Sequence, residues 1–137
     1  FKSTIPTYTS HRTTKIMSGF GEVLTASVGK LGTENVLDIE AAKKFITEAG
    51  DSLLFLDVQD PGSAKSDSAY TASLGTLFYK ADPNGPAPDE KITAQHPAGP
   101  ILVACAAGGQ AKIAGGLLAD YGYTNVKTLN GACINIK

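Results

Sequence analysis

Two apolar runs and two helical stripes dominate the pattern of hydrophobic and polar positions along the chain. The runs Leu53–Val58 and Ile101–Ala104 are almost continuously apolar, which is typical of strands buried on both faces of a parallel sheet. Apolar positions recur at helical spacing over Ile39–Ala49 and from about Ala111 to Tyr121, which predicts two helices. Because strands and helices alternate, we predict an α/β fold with a mostly parallel central sheet flanked by helices.

Local signals refine these elements. Asp38 is a good N-cap for the first helix, and Gly50 occupies the position after its end. Short strands are predicted at Val36–Leu37 and Val126–Leu129, and one short helix is expected near Glu90 inside a Pro- and Gly-rich loop.

Other stretches leave the structure open. Leu74–Tyr79 suits either a strand or a short helix, residues 1–21 look irregular, and Phe20–Leu31 contains too many glycines to be assigned. Gly115 and Gly116 weaken the second helix by about 1 kcal/mol each relative to alanine, so they suggest close packing against the sheet.

Length and composition indicate one ordinary globular domain of 137 residues. The net charge of −1 gives no reason to expect nucleic acid or an anionic membrane as a partner, and no apolar run is long enough to span a membrane. Two cysteines and two histidines at these spacings form no recognisable metal site, and no cofactor is predicted.

The N-terminus differs from the rest of the chain because its first acidic residue is Glu22, after a basic stretch rich in Ser and Thr. Such stretches resemble targeting segments for an organelle such as the mitochondrion or plastid, although a solvated tail or an expression remnant is an equally good interpretation. We therefore predict an N-terminal extension over residues 1–32, either a targeting remnant or a partner-binding arm, and one domain over residues 33–137.

Cys105 is the strongest candidate for chemistry. It ends the second apolar run and precedes a small-residue loop and a helix. Sites in open α/β sheets form at the carboxyl ends of strands, and the N–H groups of a helix N-terminus stabilise a thiolate. The competing interpretation is a buried structural thiol.

Three segments resemble the rhodanese family of sulfurtransferases. Gly122–Ala132 (GYTNVKTLNGA) is similar to the family's segment after the active-site helix, and Leu54–Pro61 (LFLDVQDP) is similar to its strand ending in Asp-Val-Arg. Leu74–Pro83 resembles a subgroup whose cysteine loop reads Cys-Ala-Ser-Gly-Gly-Arg-Ser. The resemblance covers roughly residues 33–136 and implies a single rhodanese-like domain.

By this resemblance, Cys105 carries sulfur as a persulfide and passes the outer sulfur to an acceptor. The implied partners are small sulfur donors and acceptors, namely thiosulfate, persulfides or thiols. The implied substrate-binding cradle consists of the backbone N–H groups of Ala106, Ala107, Gly108, Gly109, Gln110 and Ala111.

The chain departs from the family at charged positions. Gln110 stands where the subgroup has arginine, Ala111 where serine or threonine is usual, and Gln59 where the strand motif has arginine. Because glutamine cannot replace the charge of a guanidinium, we expect weak activity with thiosulfate. The alternative hypothesis is an inactive domain that serves as an interaction module or accessory subunit of an organellar assembly.

Further residues near the site receive secondary roles. Asp57 is interpreted as structural, capping or hydrogen-bonding the neighbouring loop. Cys133 is either a resolving thiol for Cys105 or a packing residue. Gln110 is either a neutral ligand contact or a relic. A cysteine phosphatase is disfavoured because the loop has no arginine to bind phosphate.

Overall fold

The structure, a computed structural model, describes residues 19–63, 69–133 and 136. These residues form five α-helices and five strands. The helices are α1 Phe20–Leu31, α2 Ile39–Ala49, α3 Leu74–Lys80, α4 Glu90–Thr93 and α5 Gly109–Asp120. The strands are β1 Val36–Leu37, β2 Leu54–Asp57, β3 Tyr70–Thr71, β4 Ile101–Cys105 and β5 Val126–Ala132.

All five strands pair in parallel in one sheet, in the order β1-β5-β4-β2-β3. The predicted α/β class with a mostly parallel sheet is therefore confirmed. Strand β4 lies at the centre, and all five of its residues are buried, as its continuous apolar run predicts. Parallel pairing brings the carboxyl ends of β2, β4 and β5 to the same edge of the sheet.

The two faces of the sheet carry separate cores. Helix α2 covers one face, where Ala42 packs with Phe55 and Leu102. The other described helices contribute Leu31, Leu77, Ile92 and Leu118 to the opposite face. Successive strand residues alternate between these cores, as the pleat of a strand requires.

Helix α2 and its ends were predicted correctly. The Asp38 side chain accepts a hydrogen bond from the N–H of Ala41 (2.8 Å), and the N–H of Gly50 donates to Ile46. Of the open stretches, Leu74–Lys80 is a helix, and the glycine-rich Phe20–Leu31 is one as well. The edge strand Tyr70–Thr71 was not predicted, because it follows a polar stretch and belongs to no apolar run.

The structure describes only part of the segment to which the N-terminal predictions apply. Residues 1–18 lie outside the described residues, so the targeting hypothesis stays a prediction, as does the boundary between residues 32 and 33. Within the described ranges, no helix combines the length and apolar character that crossing a membrane requires.

Two glycines let α5 approach its neighbours closely. A Cβ on Gly115 would lie 2.6 Å from the Thr128 side chain in β5, which confirms the predicted close packing against the sheet. A Cβ on Gly116 would instead lie 2.9 Å from the carbonyl oxygen of Ser27, so this glycine faces α1. Helix α1 is therefore an integral layer over α5.

Two tyrosines fasten the long loop before β4. The hydroxyl of Tyr123 donates to the carbonyl of Ala81 (2.7 Å), and burial, helped by the negative charges of Asp82 and Asp89, raises its pKa to about 12. The hydroxyl of Tyr70 donates to Asp89 (2.6 Å), and this hydrogen bond raises the pKa of Tyr70. Both hydroxyls therefore stay protonated as donors at neutral pH.

Gly116→Ala tests the contact between α1 and α5. We expect the free energy of unfolding to fall by about 1–3 kcal/mol, because the new methyl group meets the backbone of Ser27. Gly29→Ala in α1 is the matched control, since a Cβ there has no atom within 4 Å. The control should leave stability unchanged or raise it by up to about 1 kcal/mol. Urea denaturation measures both variants, and equal stability changes would contradict this packing.

Candidate functional site

Cys105 lies at the carboxyl end of β4, between the ends of β2 and β5. Its side chain belongs to the core that packs against α5, and only 2% of the residue is exposed. The strand end, the turn and the following helix thus bury the sulfur at the edge of the sheet where open α/β folds place their sites.

Backbone N–H groups from the turn point at this sulfur. The N–H of Gly108 donates to Cys105 Sγ at 3.0 Å, and the N–H of Ala111 donates to it at 3.3 Å. Both donors belong to the start of α5, where N–H groups lack acceptors within the helix. A sulfur at this position therefore has hydrogen-bond donors suited to negative charge.

Gly108 makes this geometry possible. Its φ of +105° lies in the left-handed region that side chains disfavour, and a Cβ there would lie 3.2 Å from the carbonyl oxygen of Leu129. The register of β5 against β4 shifts between the pairs Val103–Thr128 and Cys105–Ala132, which bulges β5 beneath Gly108. The cysteine loop and the end of β5 are therefore shaped to each other.

The predicted cradle residues differ in their exposure to solvent. Ala106 and Ala107 are exposed, Gly108 and Ala111 are buried, and Gly109 and Gln110 are half-buried. The N–H groups that contact Sγ come from Gly108 and Ala111. Those of Gly109 and Gln110 belong to the first turn of α5, so the helix supplies them with no acceptor.

The sulfur has no cationic partner among the residues that the structure describes. Lys112, one turn into α5, donates instead to the side chain of Asn130 (2.9 Å). Gln110 contributes no charge. The site's electrostatics therefore come from the backbone N–H groups and the helix N-terminus.

A polar cluster lies beneath the loop on the other face of the sheet. Asp57 is fully buried, and its carboxylate accepts hydrogen bonds from the backbone N–H of Gln59 (2.9 Å) and from the Gln59 amide (3.1 and 3.2 Å). The same amide donates to Cys133 Sγ (3.3 Å). This geometry joins the ends of β2 and β5, and the structural role of Asp57 stays a prediction.

Cys133 does not face Cys105. It packs with Ala104 and Leu129 in the core beneath α2, whereas Cys105 packs against α5. Both cysteines are buried. The structure thus agrees with the packing interpretation of Cys133 and offers no support for the resolving-thiol alternative.

Sequence reasoning missed Phe20. A Cβ on Gly109 would lie 2.9 Å from the tip of the Phe20 ring, which places this ring over the first turn of α5. Phe20 and the loop are far apart in the sequence, so no local pattern predicts their contact. The glycines of α1 also prevented this segment from being assigned as a helix.

No metal centre is formed within residues 19–63 and 69–133, where no three His, Cys, Asp or Glu side chains come close enough to share an ion. The loop residues 106–111 that follow Cys105 carry no charge. The chemistry available at this site is therefore that of a thiol held by backbone donors.

Comparison with known proteins identifies the fold. No family model and no curated protein sequence matches the chain. A solved structure from Rhodopseudomonas palustris, a protein of unknown function described as a possible tyrosine phosphatase, covers 86% of this chain and 88% of its own at TM-score 0.71 and 18% identity.

Two further solved structures are described as a sulfurtransferase and as a rhodanese homologue. A human single-domain sulfurtransferase is 14% identical, with TM-score 0.54 and coverage of 72% of this chain and 90% of its own. A rhodanese homologue from Thermus thermophilus is 19% identical, with TM-score 0.50 and coverage of 72% and 95%. The chain therefore has a rhodanese-like fold, as its sequence resemblance implied.

Gly108→Ala tests the loop geometry. We expect alkylation of Cys105 by a small iodoacetamide reagent to slow severalfold, because the strained turn displaces an N–H donor from Sγ. Gly62→Ala is the control, since Gly62 also has a positive φ (+87°) but open space around it. Peptide mass spectrometry follows the alkylation of Cys105 separately from Cys133. Equal alkylation rates in the two variants would contradict a role for the Gly108 donor.

Proposed function

We propose that this domain is a sulfurtransferase that carries sulfane sulfur as a persulfide on Cys105. The observation that carries the proposal is the pair of N–H groups, from Gly108 and Ala111, that donate to Cys105 Sγ at the start of α5. The rhodanese-like fold supports it, because two of the similar structures are described as a sulfurtransferase and a rhodanese homologue.

The reaction consists of two displacements on sulfur. In the first, the Cys105 thiolate attacks the outer sulfur of a donor persulfide R–S–SH. The donor's S–S bond breaks, its inner sulfur leaves as R–S⁻ with the electron pair, and Cys105–S–SH forms. In the second, an acceptor thiolate attacks the outer sulfur, and Cys105 leaves as a thiolate. The electrons balance within the donor and acceptor, so no external oxidant is required.

The loop suits the intermediate as well as the thiol. A persulfide places one more sulfur beyond Sγ, and its negative charge needs donors that the inner sulfur does not already use. The first-turn N–H groups of Gly109 and Gln110 have no acceptor in α5 and can serve that outer sulfur. The inner sulfur keeps the donors from Gly108 and Ala111.

The neutral loop favours some donors over others. Thiosulfate and phosphate esters carry two negative charges, which a guanidinium holds through paired hydrogen bonds. Gln110 offers only a neutral amide. We therefore expect slow sulfur transfer from thiosulfate, faster transfer from organic persulfides, and no hydrolysis of an aryl phosphate.

Cys105→Ser provides the direct test of the activity. In a cyanolysis assay with an organic persulfide donor, the wild-type protein should form thiocyanate, and the variant should fall to the uncatalysed rate because the nucleophile is gone. Cys133→Ser is the matched control and should retain most of the activity, since this thiol lies on the other face of the sheet.

Equal inactivity of the wild type and Cys105→Ser with both thiosulfate and organic persulfides would overturn the enzyme proposal. That result would favour the interaction module instead. If only Cys133→Ser lost activity, the sulfur would be carried on Cys133 and the assignment to Cys105 would be wrong.

Gln110→Arg tests the missing charge. We expect the kcat/KM for thiosulfate to rise by about tenfold, because a hydrogen bond to a charged group contributes about 1.5–3 kcal/mol. Thr47→Arg, on the exposed surface of α2, adds the same charge far from the loop and should change nothing. An unchanged thiosulfate rate in Gln110→Arg would show that charge at this position is not what limits the reaction.

A further inference from the structure

An exposed aromatic ring borders the cysteine loop. Phe20, the first residue of α1, is 62% exposed although its ring tip contacts the first turn of α5 at Gly109. Val23, one turn further along α1, is 39% exposed. The only other large apolar side chain exposed in the described ranges is Phe78 on α3.

The remaining rim of the loop is uncharged. Ala106 and Ala107 are exposed beside the buried sulfur, and the half-buried Gln110 carries no charge. One turn beyond the contact between Phe20 and Gly109, a groove of about 440 Å³ runs between α1 and α5. Leu24 and Val28 line it, together with the stem of Lys112, whose ammonium group is held by Asn130.

Because the Cys105 sulfur is buried, the reacting sulfur of a substrate and the rest of the molecule must bind in different places. Because Cys105 is only 2% exposed, a donor or acceptor can bring little more than its terminal sulfur under the loop. The body of the molecule must remain outside, on the surface formed by the loop and the start of α1. Phe20 is the largest apolar side chain on that surface.

We propose that Phe20 determines acceptor specificity by packing against the apolar body of an aromatic or aliphatic thiol while its sulfur reaches the Cys105 persulfide. This inference rests on the proposed function. Contact with such a body would bury the exposed ring, and two aromatic groups attract each other beyond the area that they bury. A small hydrophilic thiol has no apolar body to pack against the ring.

The transfer step itself needs no group from Phe20. The acceptor thiolate R–S⁻ attacks the outer sulfur of Cys105–S–SH, the S–S bond of the persulfide breaks, and the Cys105 sulfur keeps the electron pair. The products are R–S–SH and the Cys105 thiolate. Phe20 acts on the orientation and binding of R, so its removal should change the ratio between acceptors rather than the chemistry common to them.

The test compares two acceptors on a protein first loaded with sulfur on Cys105. Phenylmethanethiol supplies an aromatic body, and 2-mercaptoethanol supplies a hydrophilic one. Phe20→Ala should lower the transfer rate constant to phenylmethanethiol by about fivefold, the size of one aromatic contact, and leave the rate with 2-mercaptoethanol within about twofold. Phe20→Leu, which keeps an apolar side chain, should show a smaller selective loss.

Phe78→Ala is the matched control. Phe78 is comparably exposed (57%), but its backbone carbonyl accepts from Tyr121 at the far end of α5, about 18 Å of helix from the loop. This variant should leave both rates unchanged, and thermal unfolding of each variant checks that α1 remains folded.

Each outcome has a separate meaning. Equal changes with both thiols in Phe20→Ala, or no change with either, would overturn the specificity role while leaving the persulfide proposal intact. Failure of the wild-type protein to accept sulfur on Cys105 would overturn both. A selective loss for the aromatic thiol, absent from Phe78→Ala, is the predicted result.

Discussion

The hydrogen bonds from Gly108 and Ala111 to the sulfur of Cys105 are the constraint on which the rest of the site depends. They require β4 to end at the same level as β5, and they require a left-handed glycine between strand and helix. They also require α5 to be held in place along its length. Helix α5 is held in place by α1, which packs onto it where Gly116 closely approaches Ser27.

The same arrangement explains why a loop without charged side chains can still be chemically useful. Backbone donors and the N-terminus of α5 act on the sulfur without a cation, so they suit a small persulfide better than a dianion. Beneath the loop, the Gln59 amide donates hydrogen bonds to both Asp57 and Cys133. This contact ties the ends of β2 and β5 together, and Gln59 itself adds no charge there.

The sequence predicted the elements that carry strong local signals. Continuous apolar runs identified β2 and β4, and the periodicity and caps of α2 identified its ends. The edge strand at Tyr70–Thr71 was missed because its partner, β2, decides its conformation. Helix α1 was missed because its stability comes from tertiary packing on α5, which outweighs the cost of its glycines. Phe20 lies beside the cysteine loop only because of that packing.

If Cys105 carries the sulfur, the peptide that contains it gains the mass of a sulfur atom when the protein meets a persulfide donor. The protein would be incubated with an organic persulfide, freed of excess donor, alkylated to trap persulfides, and digested without reductant. We expect one added sulfur atom on the peptide containing Cys105, and none on the peptide containing Cys133. An unmodified Cys105, or a sulfur atom found on Cys133 alone, would contradict it.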